Sequence, residues 1–284
     1  MNPFDLRGPD FLLFYLVLAS VICLCLYWRR SLRESGPLPS LEMKDPYLFA
    51  FLRGGAKEVL QAATISLIDR DRLTNEDGLL HHGSKAISKH RNCKIEEKIV
   101  GFFRVPAKFR DLLKSTESWR GPCNEYEREL QANKLLPDDA VNYERRWWLG
   151  PAILALIGTA VIKIMIALSR GRTNIGFLVI LSILAVIAAV KAGAPRRTIL
   201  GNKYLARVRE LFDDVHRRRA GIQPGGQTQE LLWLAALFGI AAIPQSVFPF
   251  VRDFAPASSG NGESGCGGGC GGGCGGGCGG CGGA

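Results

Sequence analysis

The stretch Leu149–Val190 constrains this chain more than any other. It holds two apolar runs, Leu149–Leu168 and Thr173–Val190, joined by the short polar turn Ser169–Asn174. The second run carries no charge over 18 residues. About 20 mostly apolar residues cross about 30 Å of hydrocarbon as a helix. In lipid the backbone must satisfy its own hydrogen bonds, which makes both runs helices. So short a link makes them an antiparallel pair. Ala155, Gly158 and Ala160 on one helix, with Ala185, Ala188 and Ala189 on the other, are small enough to allow close approach.

Trp147 and Trp148 precede the first run, and indole rings favour the headgroup layer. They are read as membrane anchors. Lys163 is the one ionisable residue inside either run. An intramembrane charge is a functional candidate by default. Lys163 stands six residues from Ser169, roughly 9 Å along a helix axis. That distance is within reach of snorkelling to the surface, so Lys163 is also read as an anchor.

Phe11–Trp28 is a further uncharged run of 18 residues. Asp5 and Asp10 outweigh Arg7 before it, and Arg29, Arg30 and Arg33 follow it. A cleavable signal peptide has the reverse charge order and a small-residue cleavage site. The run is therefore expected to be a retained span with residues 1–10 outside and the basic flank in the cytoplasm. Cys23 and Cys25 within it are expected to point to different helix faces as small apolar side chains.

Leu231–Val251 is uncharged for 21 residues and is expected to be a fourth span. Pro244 and Pro249 make its outer half irregular. Lys191–Glu230 carries nine Lys and Arg against four Asp and Glu, whereas the turn Ser169–Asn174 offers only Arg170 and Arg172. Positive charge gathers on the cytoplasmic side, so residues 191–230 are expected inside. Tyr204, Val208, Leu211, Phe212 and Val215 mark an amphipathic helix there. Its apolar face can serve anionic headgroups or dock on the soluble domain, and the pattern does not separate the two.

Between the linker Ser35–Leu41 and the second span lies a soluble segment, Glu42–Arg146. Asp45 and Pro46 are placed to start a helix. Ala56–Asp69 has a helical apolar face. Asp77-Gly78 then separates two short arms like a hairpin turn. Three further short helices are expected, around Ile95–Phe103, Phe109–Leu113 and Cys123–Leu130. A helix, a small wing and three helices resemble winged-helix arrangements. Arg29–Trp148 holds 22 Lys and Arg and 18 Asp and Glu, interleaved. Nucleic-acid binding wants a clustered basic face, so none is expected. His81, His82, His90 and Cys93 match no zinc spacing and are read as a solvated loop.

Residues 255–284 are low in complexity. Of the nine cysteines, five lie here: Cys266, Cys270, Cys274, Cys278 and Cys281, set in glycine. Such a tract cannot form a core and behaves as a flexible coil. The five thiols are candidate ligands for a soft metal ion. Disulfides, including links between copies of the chain, and a plain disordered appendage are the other readings.

The motifs MNPFDLRGPDFLLFY, DPYLFAFLRGG (Asp45–Gly55), SRGRTNIGFLVIL and APRRT (Ala194–Thr198), with the Gly/Cys tail, together resemble a family of bacterial multi-span membrane proteins of unknown function. That family is marked by a membrane-associated region just upstream of a low-complexity Gly/Cys-rich C-terminus. The resemblance implies a bacterial membrane location and brings no catalytic residues.

The expected fold is mainly α. It has four transmembrane helices (11–28, 149–168, 173–190 and 231–251), a cytoplasmic winged-helix-like domain (42–146), a cytoplasmic basic helix (191–230) and a disordered tail (255–284), with both termini outside the inner membrane. The expected function is a non-enzymatic interaction protein that contacts the bilayer and an unidentified protein partner. A membrane-embedded enzyme or transporter is the alternative, and a membrane-tethered winged-helix regulator a third. The spans argue against the enzyme or transporter, offering only Lys163 and hydroxyls such as Ser20, Thr159 and Ser182.

Overall fold

The computed structural model describes residues 8–39, 45–76, 78–83, 94–115, 119–169, 176–217, 229–244, 248 and 251. The chain is mainly helical. Three helices are long and apolar enough to cross a membrane: α1 (Gly8–Glu34), α7 (Asp139–Ser169) and α8 (Gly176–Gly193). They cover the runs expected at 11–28 and 149–168 and most of that at 173–190. At 31 residues α7 is roughly 46 Å long, so it overhangs a 30 Å hydrocarbon layer by several turns.

The three spans pack as a bundle around Phe11, Tyr15, Leu156, Ala160, Leu178, Ala185 and Ala189. Tyr15 donates its hydroxyl to the Leu156 carbonyl at 3.1 Å, tying α1 to α7. Of the small residues expected at the contact, Ala160, Ala185 and Ala189 are buried, while Ala155 and Ala188 are exposed. Gly158 faces open space and makes no close approach. Leu13, Leu24, Leu154, Phe177 and Ile180 stand out from the bundle, each more than half exposed, as a lipid-facing surface requires.

The remaining elements form a second core. Asp45 caps α2 (Pro46–Gly54) by accepting from the Tyr47 amide at 2.9 Å. α3 (Ala56–Asp69) is buried on nearly every face. β1 (Leu73–Glu76) and β2 (Leu79–His82) form an antiparallel hairpin with Glu76 opposite Leu79. α4 (Lys94–Phe102), α5 (Phe109–Lys114) and α6 (Arg120–Ala132) follow. His81 and His82 lie on β2; His90 and Cys93 fall outside the described residues.

The expected fourth span is not confirmed: among the described residues three helices are long and apolar enough to cross a membrane, and none lies in 231–251. Within 231–251 the structure has α11 (Gln229–Phe238), only 10 residues and about 15 Å long, half of what a bilayer needs. It ends at Gly239, whose φ of 92° suits glycine alone. Leu231, Leu232, Leu234, Ala235, Ala236 and Leu237 are buried against α2 and α3, in one core with Ile243, Phe248 and Val251. An apolar block of this length reads equally as a span or as a core helix, and the described residues pack as a core helix.

The basic segment 191–230 is described over 191–217 and 229–230. It contains α9 (Ile199–Leu211) and α10 (Asp213–Arg217). Leu200, Tyr204, Leu205 and Val208 are buried in the soluble core. Phe49 of α2 lies 6.1 Å from Tyr204 and 5.5 Å from Trp233, and Trp233 stacks on Phe212 at 4.9 Å. Of the expected apolar face, Tyr204 and Val208 are buried in the domain and Phe212 packs against it, while Leu211 is 60% exposed. The soluble domain is thus discontinuous, built from chain on both sides of α7 and α8.

Candidate functional site

α1, α7 and α8 end at one level, where their polar flanks meet the soluble domain. Glu34, the last residue of α1, is the hub. Its carboxylate accepts from Arg145 Nε at 2.9 Å and from Arg145 Nη2. It also accepts from Arg30 Nε at 2.9 Å and from the Ile199 amide at 2.9 Å. Arg145 donates onward to the Pro195 carbonyl at 2.8 Å, and Arg30 to the Ala192 carbonyl at 3.3 Å. All three side chains are almost fully buried, at 4%, 7% and 8% exposure for Glu34, Arg145 and Arg30. One acid thus joins the ends of α1 and α7 to the start of α9. Gly193 completes the joint: a Cβ there would fall 2.9 Å from Leu149 Cδ1.

Thr198 fixes the next step of the chain. Its hydroxyl accepts from the Gly201 amide at 2.9 Å, capping α9, and lies 2.8 Å and 2.9 Å from the carbonyls of Lys134 and Leu135. Arg196 donates to the Gly54 carbonyl at 2.8 Å and lies over the Phe51 ring at 5.5 Å. The segments DPYLFAFLRGG and APRRT, 142 residues apart at this bond, are therefore in direct contact.

A cavity of about 320 Å³ opens beside this joint. Its wall comprises Arg145, Arg146, Arg196, Glu127 and Asn142, with Phe51, Leu136, Pro137, Ala194 and Pro195. With Arg145 turned to Glu34, which it shares with Arg30, the lining keeps Arg146 and Arg196 against Glu127. Burial and the neighbouring Arg197 hold the Arg196 guanidinium below its usual range, which Glu127 and Glu58 partly offset. The lining suits anion recognition. It holds no Ser, Cys or His nucleophile or base.

The anchors expected from sequence are at the same level or at the far end of the bundle. Trp147 and Trp148 are exposed; Tyr143 stacks on Trp147 at 6.4 Å, and Arg29 lies over Trp148 at 4.2 Å. Lys163 Nζ lies 4.6 Å from the Phe11 ring centre, near the opposite end of α1. Within the spans, Ser20, Thr159 and Ser182 return their hydroxyls to carbonyls of their own helices. Cys266, Cys270, Cys274, Cys278 and Cys281 lie outside the described residues. No group of three or more potential metal-ligating side chains occurs among the described residues.

The joint itself was not singled out from the sequence. Its signal was present: Arg30 and Glu34 stand four apart just past a span, and Arg145 stands just before another. Comparison of the chain with protein-family models, curated proteins and solved structures finds no match.

Proposed function

We propose that this chain is a three-span protein of the bacterial inner membrane that holds a helical domain and a thiol-rich tail on the cytoplasmic side. One observation carries the reading. α9 and α11, which follow the spans, share a core with α2 and α3, which precede α7. Both segments must then lie on one side of the membrane, and α7 and α8 form a closed excursion across it. Arg29, Arg30, Arg33 and the basic segment 191–230 favour the cytoplasm for that side. The N-terminus is then outside. The tail leaves the core at Val251 and stays inside, in place of the both-outside arrangement that a fourth span required.

In a reducing compartment the five tail cysteines remain thiols, able to take a soft metal ion such as zinc or copper(I). We read the protein as a non-enzymatic interaction protein: the domain contacts a protein partner at the membrane surface and the tail presents thiols there. The helix–hairpin–helix order is winged-helix-like, but α3 is enclosed by the core and offers no face for a nucleic-acid groove.

Labelling intact cells with a membrane-impermeant maleimide tests this, using a version in which Cys266, Cys270, Cys274, Cys278 and Cys281 are the only cysteines. The expected result is no labelling with or without a reductant, and full labelling once the inner membrane is opened. Labelling of intact cells would put the tail outside and overturn the three-span topology.

A further inference from the structure

Arg53 and Arg209 meet the C-terminal end of α11, with the Arg197 charge near both and the Glu58 carboxylate on Arg53. Arg53 packs its guanidinium on Gly239, where a Cβ would fall 1.9 Å from Nη1. Arg209 Nε donates to the Leu237 carbonyl at 2.9 Å. Arg197 lies close enough for its charge to act on both. Glu58 pairs with Arg53, and among the described residues no acid pairs with Arg197 or Arg209. Arg53 Nε is buried without a hydrogen-bond partner, and Arg197 makes no hydrogen bond or ion pair among the described residues.

A structural role accounts for part of this. The end of α11 carries about half a negative charge and orphan carbonyls, which Arg209 answers. Three positive charges less the one on Glu58 still leave two, against that half charge. Guanidinium groups stay protonated in proteins, so this excess cannot be relieved by losing a proton. Half-burial raises its cost, since like charges repel more strongly away from water. Burial is accordingly the first cause that lowers each of the three below the usual arginine range.

We propose that Arg53, Arg197 and Arg209 form a binding site for a phosphate group. A phosphate oxyanion offers several acceptor oxygens pointing in different directions, which suits guanidinium forks arriving from three elements. A carboxylate, planar with two oxygens, would serve fewer of them. Arg197 stands four residues beyond Gly193, the last residue of α8, hence at most about 14 Å of chain from the end of a span. An anionic phospholipid headgroup is therefore one source of the phosphate, and free phosphate in solution is the other.

The test uses the full-length protein in a maltoside detergent at fixed ionic strength. Its Tm is followed by tryptophan fluorescence during titration with inorganic phosphate or with dioctanoyl phosphatidylglycerol. The expected result is a rise of about 5 °C at a hundredfold excess over Kd with at least one probe. A rise with phosphatidylglycerol alone identifies the lipid headgroup; a rise with inorganic phosphate identifies the free ion; either supports the site. Arg197→Gln removes a charge that makes no hydrogen bond or ion pair among the described residues, so its Tm without ligand should equal or exceed that of the parent, and its response to the probe should vanish. Arg207→Gln, an exposed neighbour on α9 paired with Glu210, should respond like the parent. No rise in the parent protein with either probe would overturn the site, whatever the variants do. So would an undiminished response in Arg197→Gln, or an equal loss in Arg207→Gln.

Discussion

The Glu34 carboxylate and the Arg145 guanidinium, 111 residues apart, meet through two hydrogen bonds where α1 and α7 enter the soluble domain, and both are almost wholly buried. Burying charges is costly and is offset only when every charge is paired and hydrogen-bonded. Here the acid also takes Arg30 and the Ile199 amide, so removing it orphans two arginines at once. Glu34→Gln should lower stability by about 3–5 kcal/mol. Arg145→Met added to Glu34→Gln should then cost less than it does alone, because the partner charge is already gone. Denaturant unfolding of the four proteins in detergent measures this; strictly additive losses would show that the two residues do not act together.

Two glycines on helices should respond to alanine to very different extents. A Cβ at Gly201 would fall 2.2 Å from the Leu135 carbonyl oxygen, a backbone atom held by the Thr198 amide and hydroxyl. Gly201→Ala should therefore separate α9 from the end of α6 and lower stability by about 1–3 kcal/mol. Gly158 has no heavy atom within 4 Å of such a Cβ. Gly158→Ala should change stability by less than about 0.5 kcal/mol. The two Tm values, compared side by side, decide whether the close helix approach is in the domain or in the membrane.

Three helices long and apolar enough to cross a membrane were legible in the sequence, because 11–28, 149–168 and 173–190 are long apolar runs with no reading as short elements. The hairpin was legible from Asp77-Gly78 and the start of α2 from Asp45-Pro46, both local signals. The fate of 231–251 was not. Its composition satisfies a bilayer and a protein core equally, and what favours the core is contact with α2 and α3, which lie some 180 residues earlier. The two uses of the α9 face were open for the same reason. Of the candidate site, Glu34 and Arg145 are individually ordinary flanking charges. Only the antiparallel register of α1 and α7 brings them together, and no local pattern encodes that register.

Leucines in the two cores should differ in what their loss costs. Leu234, fully buried in α11, contacts the domain core, whereas Leu154 is 73% exposed on α7, a helix long and apolar enough to cross a membrane. Leu234→Ala should leave a cavity and cost about 2–5 kcal/mol. Leu154→Ala should cost far less, since an acyl chain as apolar as the leucine takes its place. Thermal unfolding in lipid nanodiscs provides the comparison. Equal, small losses at both positions would indicate that Leu234 faces lipid and that 231–251 crosses the membrane after all.

Cys123 gives the domain a pH signature. Its thiol is buried on α6, and its pKa is pushed up from 9.0 to about 11, first by burial and then by the Glu127 carboxylate, with Lys98 opposing. A group whose folded pKa is raised contributes its full stability below the unfolded value and loses it as pH climbs through the folded one. Below pH 8 the thiol is neutral in both states and the contribution is constant. From about pH 9 the unfolded chain gains a thiolate that the folded core resists, so stability falls until about pH 11. Two units correspond to at most about 2.7 kcal/mol. Cys123→Ala removes this titration while leaving every other group in place. The stability gap between the parent and Cys123→Ala should be flat from pH 6 to 8 and shift by up to that amount, in favour of the variant, between pH 9 and 11. A gap that stays constant across the range would show that the thiol is solvated in the folded protein.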